Sequence, residues 1–234
     1  MDHNQVARLL VELADGQMVE SVLLPRGGLC ISTQVGCAVG CVFCMSGRAG
    51  LIRQLGSAEI VAQVVLARRR RAVNKVVFMG MGEPAHNLDN VLEAIEVLGL
   101  QGNIPHKNLV LSTVGDMRVF ERLMLSKAPV IPAKAGIQQD INASRVNPLD
   151  SGLRRNDETN DVSGRIPVVK PALALSLHST DDALRAKLLP QAPHIPVTEL
   201  VARCEAYARA TGYPTQYQWT LIEGVNDSDD ELVR

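Results

Sequence analysis

The stretch Lys75-Val76-Val77-Phe78-Met79-Gly80-Met81-Gly82-Glu83-Pro84 decides the fold class. Its apolar half has the length of a buried strand, and Gly80, Gly82 and Pro84 make a tight loop at that strand's C-terminal end. Outward from it, strand-length apolar runs alternate with helical stretches. Leu29 to Thr33 precedes a helix over Ala58 to Arg71; Val91 to Leu98 is helical, Leu109 to Thr113 a strand, and Met117 to Leu125 a helix. The rhythm resumes with a strand from Ala172 to Leu177, helices near Asp182 to Leu188 and from Val197 to Thr211, and a strand from Gln216 to Ile222. Strands separated by helices predict an α/β fold with a parallel sheet and right-handed crossovers, either doubly wound or curled into a barrel. A partial (β/α) barrel over residues 28–234 is the expectation. Ahead of it, residues 4–14 read as a short amphipathic helix, Asp15-Gly16 as a turn and Met18 to Leu24 as a strand, giving residues 1–27 a helix and a β-hairpin.

The segment Lys127 to Lys170 breaks the pattern. It has no aromatic residue, contains Pro129, Pro132, Pro148 and Pro167, and follows neither period, so it is expected to be a disordered insertion. Its Val130 to Gln138 and Leu149 to Glu158 stretches resemble translated repetitive DNA of bacterial genomes; a basic RNA-binding lid is the competing reading. With 234 residues, 46% hydrophobic, the chain can bury one substantial core. The net charge of -1 gives no global positive field, so any nucleic-acid contact must come from a local patch such as Arg68 to Arg71. At 3% aromatic residues, base-stacking platforms are scarce. No apolar run approaches the roughly 18 residues of a membrane span and no signal peptide is evident, so a cytoplasmic protein without membrane contact is expected.

Cys37, Cys41 and Cys44 follow a Cys-x3-Cys-x2-Cys spacing just after a strand. Three thiolates on one loop can hold three irons of a 4Fe-4S cluster and leave the fourth open to a ligand. The competing reading is a structural zinc loop, but zinc wants a fourth ligand, and the next candidate, His86, is far along the chain. An odd count of five cysteines, three of them crowded together, argues for metal ligation over a disulfide framework. Cys204 falls in a helix outside every motif and is expected in the core.

This spacing, with Phe43 before the last cysteine, is the signature of the radical S-adenosylmethionine (SAM) superfamily. Leu29 to Cys37, Phe78 to Pro84, Leu111 to Gly115, Leu175 to His178 and Gly224 to Ser228 closely resemble the bacterial adenine-C2 methyltransferases of rRNA and tRNA and their carbon-8 relatives. The resemblance implies a 4Fe-4S cluster on Cys37, Cys41 and Cys44, and SAM bound by Gly82, Glu83, Ser112, Ser176, Leu177 and His178. It also implies Cys30 as the thiol that resolves a protein–RNA adduct, Glu20 as proton acceptor, rRNA and tRNA as partners, and an electron donor such as flavodoxin. Family members continue past the Gly224 to Ser228 motif to an Ala-Cys-Gly-Gln-Leu region whose cysteine carries the methyl group. A chain ending at Arg234 lacks it, so a C-terminally truncated member is expected. Either an inactive remnant or a protein that cleaves SAM without methylating RNA is the alternative.

Overall fold

The computed structural model describes residues 5–125 and 169–233, so the expected insertion lies almost wholly outside the described residues. Seven strands form one open sheet: β1 (Ala7–Glu12), β2 (Met18–Leu24), β3 (Gly28–Cys30), β6 (Lys75–Phe78), β7 (Leu109–Thr113), β8 (Ala172–Ser176) and β9 (Gln216–Gln218), in that spatial order. The pairs β1–β2 and β2–β3 are antiparallel; from β3 to β9 every pair is parallel. A separate two-stranded ribbon pairs β4 (Gln34–Gly36) with β5 (Leu51–Gln54).

Each parallel strand lies beside its predecessor, with no reversal of order. Right-handed crossovers then put every helix on the same face, which is the singly wound geometry of a partial barrel. The helices are α1 (Ser57–Arg68), α2 (Leu88–Leu100), α3 (Met117–Leu125), α4 (Asp182–Leu188), α5 (Val197–Thr211) and the short α6 (Asp229–Val233). Alternation along the strands divides the residues cleanly. Leu29, Val76, Phe78, Leu109, Leu111, Leu173 and Leu175 pack into the main core against Ile60, Val64, Val91, Ile95, Phe120, Leu200 and Tyr207 of the helices. Burying such a side chain contributes about 1.5–3 kcal/mol, and the row across four strands fixes the register. The opposite face carries Cys30, Val77, Met79, Val110, Ala172 and Ala174. Val77, Val110, Ala172 and Ala174 are buried there, and among the described residues those packed against them, Leu24, Cys30, Met79 and Tyr213, belong to no helix.

The N-terminal stretch departs from the expected helix. Ala7 to Glu12 pairs along its whole length with Met18 to Leu23 around a turn in which Gly16 takes φ +81°. Its apolar residues satisfy helical and strand patterns alike over so short a run, and the pairing with β2 settles the outcome. Elsewhere the expected elements stand within a few residues, except that the last strand stops at Gln218, Trp219 to Ile222 are irregular and Glu223 to Val225 form a turn. The expected basic patch is also different. Arg68 donates to the Val73 and Gly102 carbonyls, and buried Arg71 donates to those of Gln5 and Leu24, so half of the run ties α1 to its neighbours. Cys204 is fully buried on α5, in the core.

Candidate functional site

The cysteine loop leaves the β4–β5 ribbon at Gly36 and rejoins it at Leu51. Gly36 has φ +79°, and a Cβ there would lie 2.0 Å from the Gly50 carbonyl oxygen, so glycine is required at this crossing. The Cys37 amide donates to that same carbonyl at 3.1 Å. Further along, the Val42 amide donates to the Leu188 carbonyl at the end of α4, and the Gln191 amide to that of Val39. Val39, Val114, Leu188, Leu189 and Ala192 form an apolar cluster against which Cys37, Cys41 and Phe43 pack. The loop is thereby seated over the C-terminal ends of β7 and β8, where barrel ligands bind.

All three cysteines of the loop are free and half-buried. Burial, with the charges of Cys44 and Cys37, pushes the Cys41 thiol up to about 12; burial also pushes Cys37 upward. Cys41 feels the charges of Cys44 and Cys37, and Cys37 those of Glu83 and Cys44, yet among the described residues no three Cys, His, Asp or Glu side chains converge as a ready metal cage. Three thiols on one tightly pinned loop beside an apolar wall fit an iron–sulfur cluster in donor chemistry, and the sulfurs would draw together around it.

The Gly80 to Glu83 loop packs against the chain between β3 and β4. A Cβ on Gly80 would sit 2.7 Å from the Ile31 carbonyl, and one on Gly82, at φ +102°, 2.6 Å from the Gln34 side chain. These glycines therefore permit close approach of protein to protein. Glu83 is buried; its carboxylate accepts the Ala85 amide at 3.1 Å and the Val114 amide at 2.9 Å. Burial pushes its carboxyl up to about 7, although those hydrogen bonds favour the charged form. The sequence pictured Glu83 as an acceptor for a ligand; in the fold both oxygens already hold backbone, clamping the β6 loop to the end of β7.

Ser112 and Ser176 do meet, 3.4 Å apart, on the face opposite the helices at the ends of β7 and β8. Gln218, at the end of β9, joins them: Ser112 donates to its Oε1 at 3.1 Å and its Nε2 donates to the Met79 sulfur at 2.9 Å. Gln218 and Met79 were not singled out from the sequence, although their strand positions two residues apart from other inward residues carry the signal. Leu177 is buried and gives its amide to the Gln218 carbonyl. Cys30 lies on this same face, and burial pushes its thiol up to about 11. Glu20 is two residues from Val22, the partner of Cys30 across the β2–β3 pair, and so shares that face; its carboxylate pairs with Arg8 at 3.3 Å.

The radical SAM superfamily pattern matches residues 31–129. A probable RNA methyltransferase of Methylibium petroleiphilum is 65% identical over 97% of this chain, and one of Stutzerimonas stutzeri is 62% identical over the same share. The crystal structure of a radical SAM methyltransferase from Sphaerobacter thermophilus matches 99% of the chain at 32% identity with a TM-score of 0.74. The chain carries a radical SAM domain. It spans about half the length of those curated relatives, 53% and 54%, and 59% of the solved chain.

Two residues of this radical SAM chain are explained by the fold alone. His178 takes φ +62°, a conformation that costs an L-residue about 1–2 kcal/mol. It is held there by its own amide and that of Leu177 on the Gln218 carbonyl, and by the Asn226 amide group on the His178 carbonyl at 2.7 Å. Asn226 is fully buried and also holds the Thr220 carbonyl and the Ile222 amide, which is why the Gly224 to Ser228 motif, remote in sequence, bears on His178. The His178 ring meets Phe43 of the cysteine loop edge-on, centroids 4.8 Å apart.

The His178 Nδ1 accepts the Thr220 amide at 3.0 Å, and burial, with the charge of Arg185, lowers its pKa to about 4. Its ordinary value in the unfolded chain is about 6.5. Below that value the unfolded state binds the proton more readily. The contribution of neutral His178 is therefore complete above pH 6.5 and is lost as pH falls towards 4, with about 2 kcal/mol of it gone by pH 5. Urea denaturation at pH 7.5 and 5 should show His178→Gln losing less stability on acidification than the parent; equal losses would refute the assignment.

Proposed function

We propose that the chain carries the cluster-binding and SAM-binding part of a methyltransferase that acts on carbon 2 of adenine in rRNA and tRNA. The observation that carries this reading is the seating of three cysteines, on one pinned loop, over the mouth of a parallel sheet whose strand ends present Ser112, Ser176 and Gln218. The relatives named as probable RNA methyltransferases support the RNA substrate. Cys37, Cys41 and Cys44 would hold a 4Fe-4S cluster, an external donor such as a flavodoxin would reduce it, and with SAM it supplies a 5'-deoxyadenosyl radical.

The chain's own residues then have distinct tasks. Ser112, Ser176 and Gln218 present hydroxyl and amide groups where the ribose and amino-acid parts of SAM can be oriented, and Gly82, Glu83, Leu177 and His178 set the backbone around them. His178 holds Phe43, and through it the cysteine loop, against the end of β8. Cys30, which packs on the face opposite the helices, would act on a substrate entering the sheet's mouth. With its pKa near 11 it is a thiol at neutral pH and needs a base to become a nucleophile. Glu20, on the same face, is the carboxylate offered for the ring proton.

Anaerobic reconstitution with iron and sulfide, followed by electron paramagnetic resonance of the reduced protein with and without SAM, tests this reading. A cluster signal that changes on adding SAM is expected, and Cys41→Ala should lose it while keeping a cooperative unfolding transition. A parent chain that takes up no cluster, or one whose signal ignores SAM, would overturn the proposal.

A further inference from the structure

We propose that Arg185 is a built-in counter-charge to the cysteine loop, placed to make a bound iron–sulfur cluster easier to reduce. The inference rests on Cys37, Cys41 and Cys44 being the cluster's ligands. Arg185 lies on α4 and is 4% exposed. Its Nη2 donates to the Val114 carbonyl at the end of β7 and to the Ser176 carbonyl at the end of β8. Its Nε is buried and has no hydrogen-bond partner among the described residues. Among those residues it forms no ion pair either, and Asp182, on the same helix, gives its Oδ1 to the Val197 amide.

A guanidinium taken out of water without an anionic partner is costly to the fold, by several kcal/mol. Such a charge is explained if its anion is not part of the polypeptide. Asp182 acts on Arg185 by charge but has its Oδ1 on the Val197 amide, and the other source of anion beside Arg185 is the loop itself. One turn beyond Arg185, the Leu188 carbonyl holds the Val42 amide, and Leu188 and Leu189 pack in the cluster that receives Cys37 and Cys41. After Asp182, the charges that act on Arg185 are those of Cys41 and of Glu83, which grips the amide of the same Val114 whose carbonyl Arg185 holds. Three thiolates bring negative charge to this spot, and each electron added to the cluster brings more. A fixed cation in a poorly solvated site stabilises the reduced form over the oxidised one, and so raises the potential.

The experiment is a redox titration of the reconstituted protein followed by electron paramagnetic resonance, in the parent, Arg185→Gln and Arg185→Lys. Glutamine keeps a donor for the carbonyls and loses the charge; lysine keeps the charge and loses the fork. Arg185→Gln is expected to lower the equilibrium constant for reduction about tenfold, which is about 59 mV more negative for one electron. Arg185→Lys should restore most of that shift. A purely structural role would reduce cluster content in both variants and leave the potential of the clusters that form unchanged. A normal potential in Arg185→Gln overturns this inference alone. If Arg185→Gln does not fold, the same titration on the neutral Arg185→Met decides: a potential lower by about tenfold in the equilibrium constant supports the inference, and one near the parent's overturns it. A parent chain that takes up no cluster overturns the ligand assignment and this inference with it.

Discussion

Gly36→Ala is expected to lower stability by about 3 kcal/mol or more and to reduce iron uptake to background. Two costs add at this position. A side chain at φ +79° costs about 1–2 kcal/mol, and the new Cβ would lie 2.0 Å from the Gly50 oxygen and 3.1 Å from its carbon, both backbone atoms that cannot rotate aside. The ribbon must open at the point where its register already shifts, between Val35 and Gly36, and the Cys37–Gly50 hydrogen bond goes with it. Gly16→Ala separates the two costs. Gly16 has a similar φ of +81° with nothing within 4 Å of its Cβ position, so it should lose only about 1 kcal/mol and keep its iron. Urea denaturation and iron analysis on both variants measure the difference; equal effects would show that the clash at Gly50 is not what matters.

Gln63→Leu is expected to cost about 3–5 kcal/mol although the two side chains are close in volume. The Gln63 amide is fully buried on α1: its Oε1 accepts the Ser21 hydroxyl at 2.8 Å and the Ser32 amide at 2.9 Å, and its Nε2 donates to the Ser32 carbonyl at 2.8 Å. Leucine would leave three buried polar groups unpaired, each costing about 1–3 kcal/mol. Ser32 in turn donates to the Glu20 carbonyl at 2.6 Å and accepts the Met81 amide at 2.9 Å. Loss of Gln63 therefore loosens β2 and the glycine loop together. Removing one orphan as well, in Gln63→Leu with Ser21→Ala, should recover about 1 kcal/mol by chemical denaturation. A single-variant loss below about 1 kcal/mol would mean that water enters and satisfies the site.

Among the predicted elements, β7, α3, α4 and α5 coincide with their sequence readings, because each has a full period of apolar residues bounded by glycine, proline or a cap. Asp181 is one such cap, accepting the Leu184 amide at 2.8 Å. β1 misled because six residues with Leu9, Leu10 and Val11 in a row satisfy both periods. The separation of Leu111 from Ser112, and of Leu175 from Ser176, onto opposite faces was implicit in strand alternation, and it put both serines on the side opposite the helices.

The sequence by itself determined the class of fold and the crowding of three thiols on one loop. Thiolate spacing is a local property of one loop, and helix–strand periodicity is a local property of each segment. Which groups remain available to a ligand was decided by the tertiary structure. Glu83 spends its oxygens on Ala85 and Val114, Gln218 arrives beside Ser112 from 106 residues away, and Arg185 comes to rest buried beneath the loop. Each of these depends on a hydrogen bond or a desolvation that exists only once distant strands share one sheet, and no pattern along the chain encodes it.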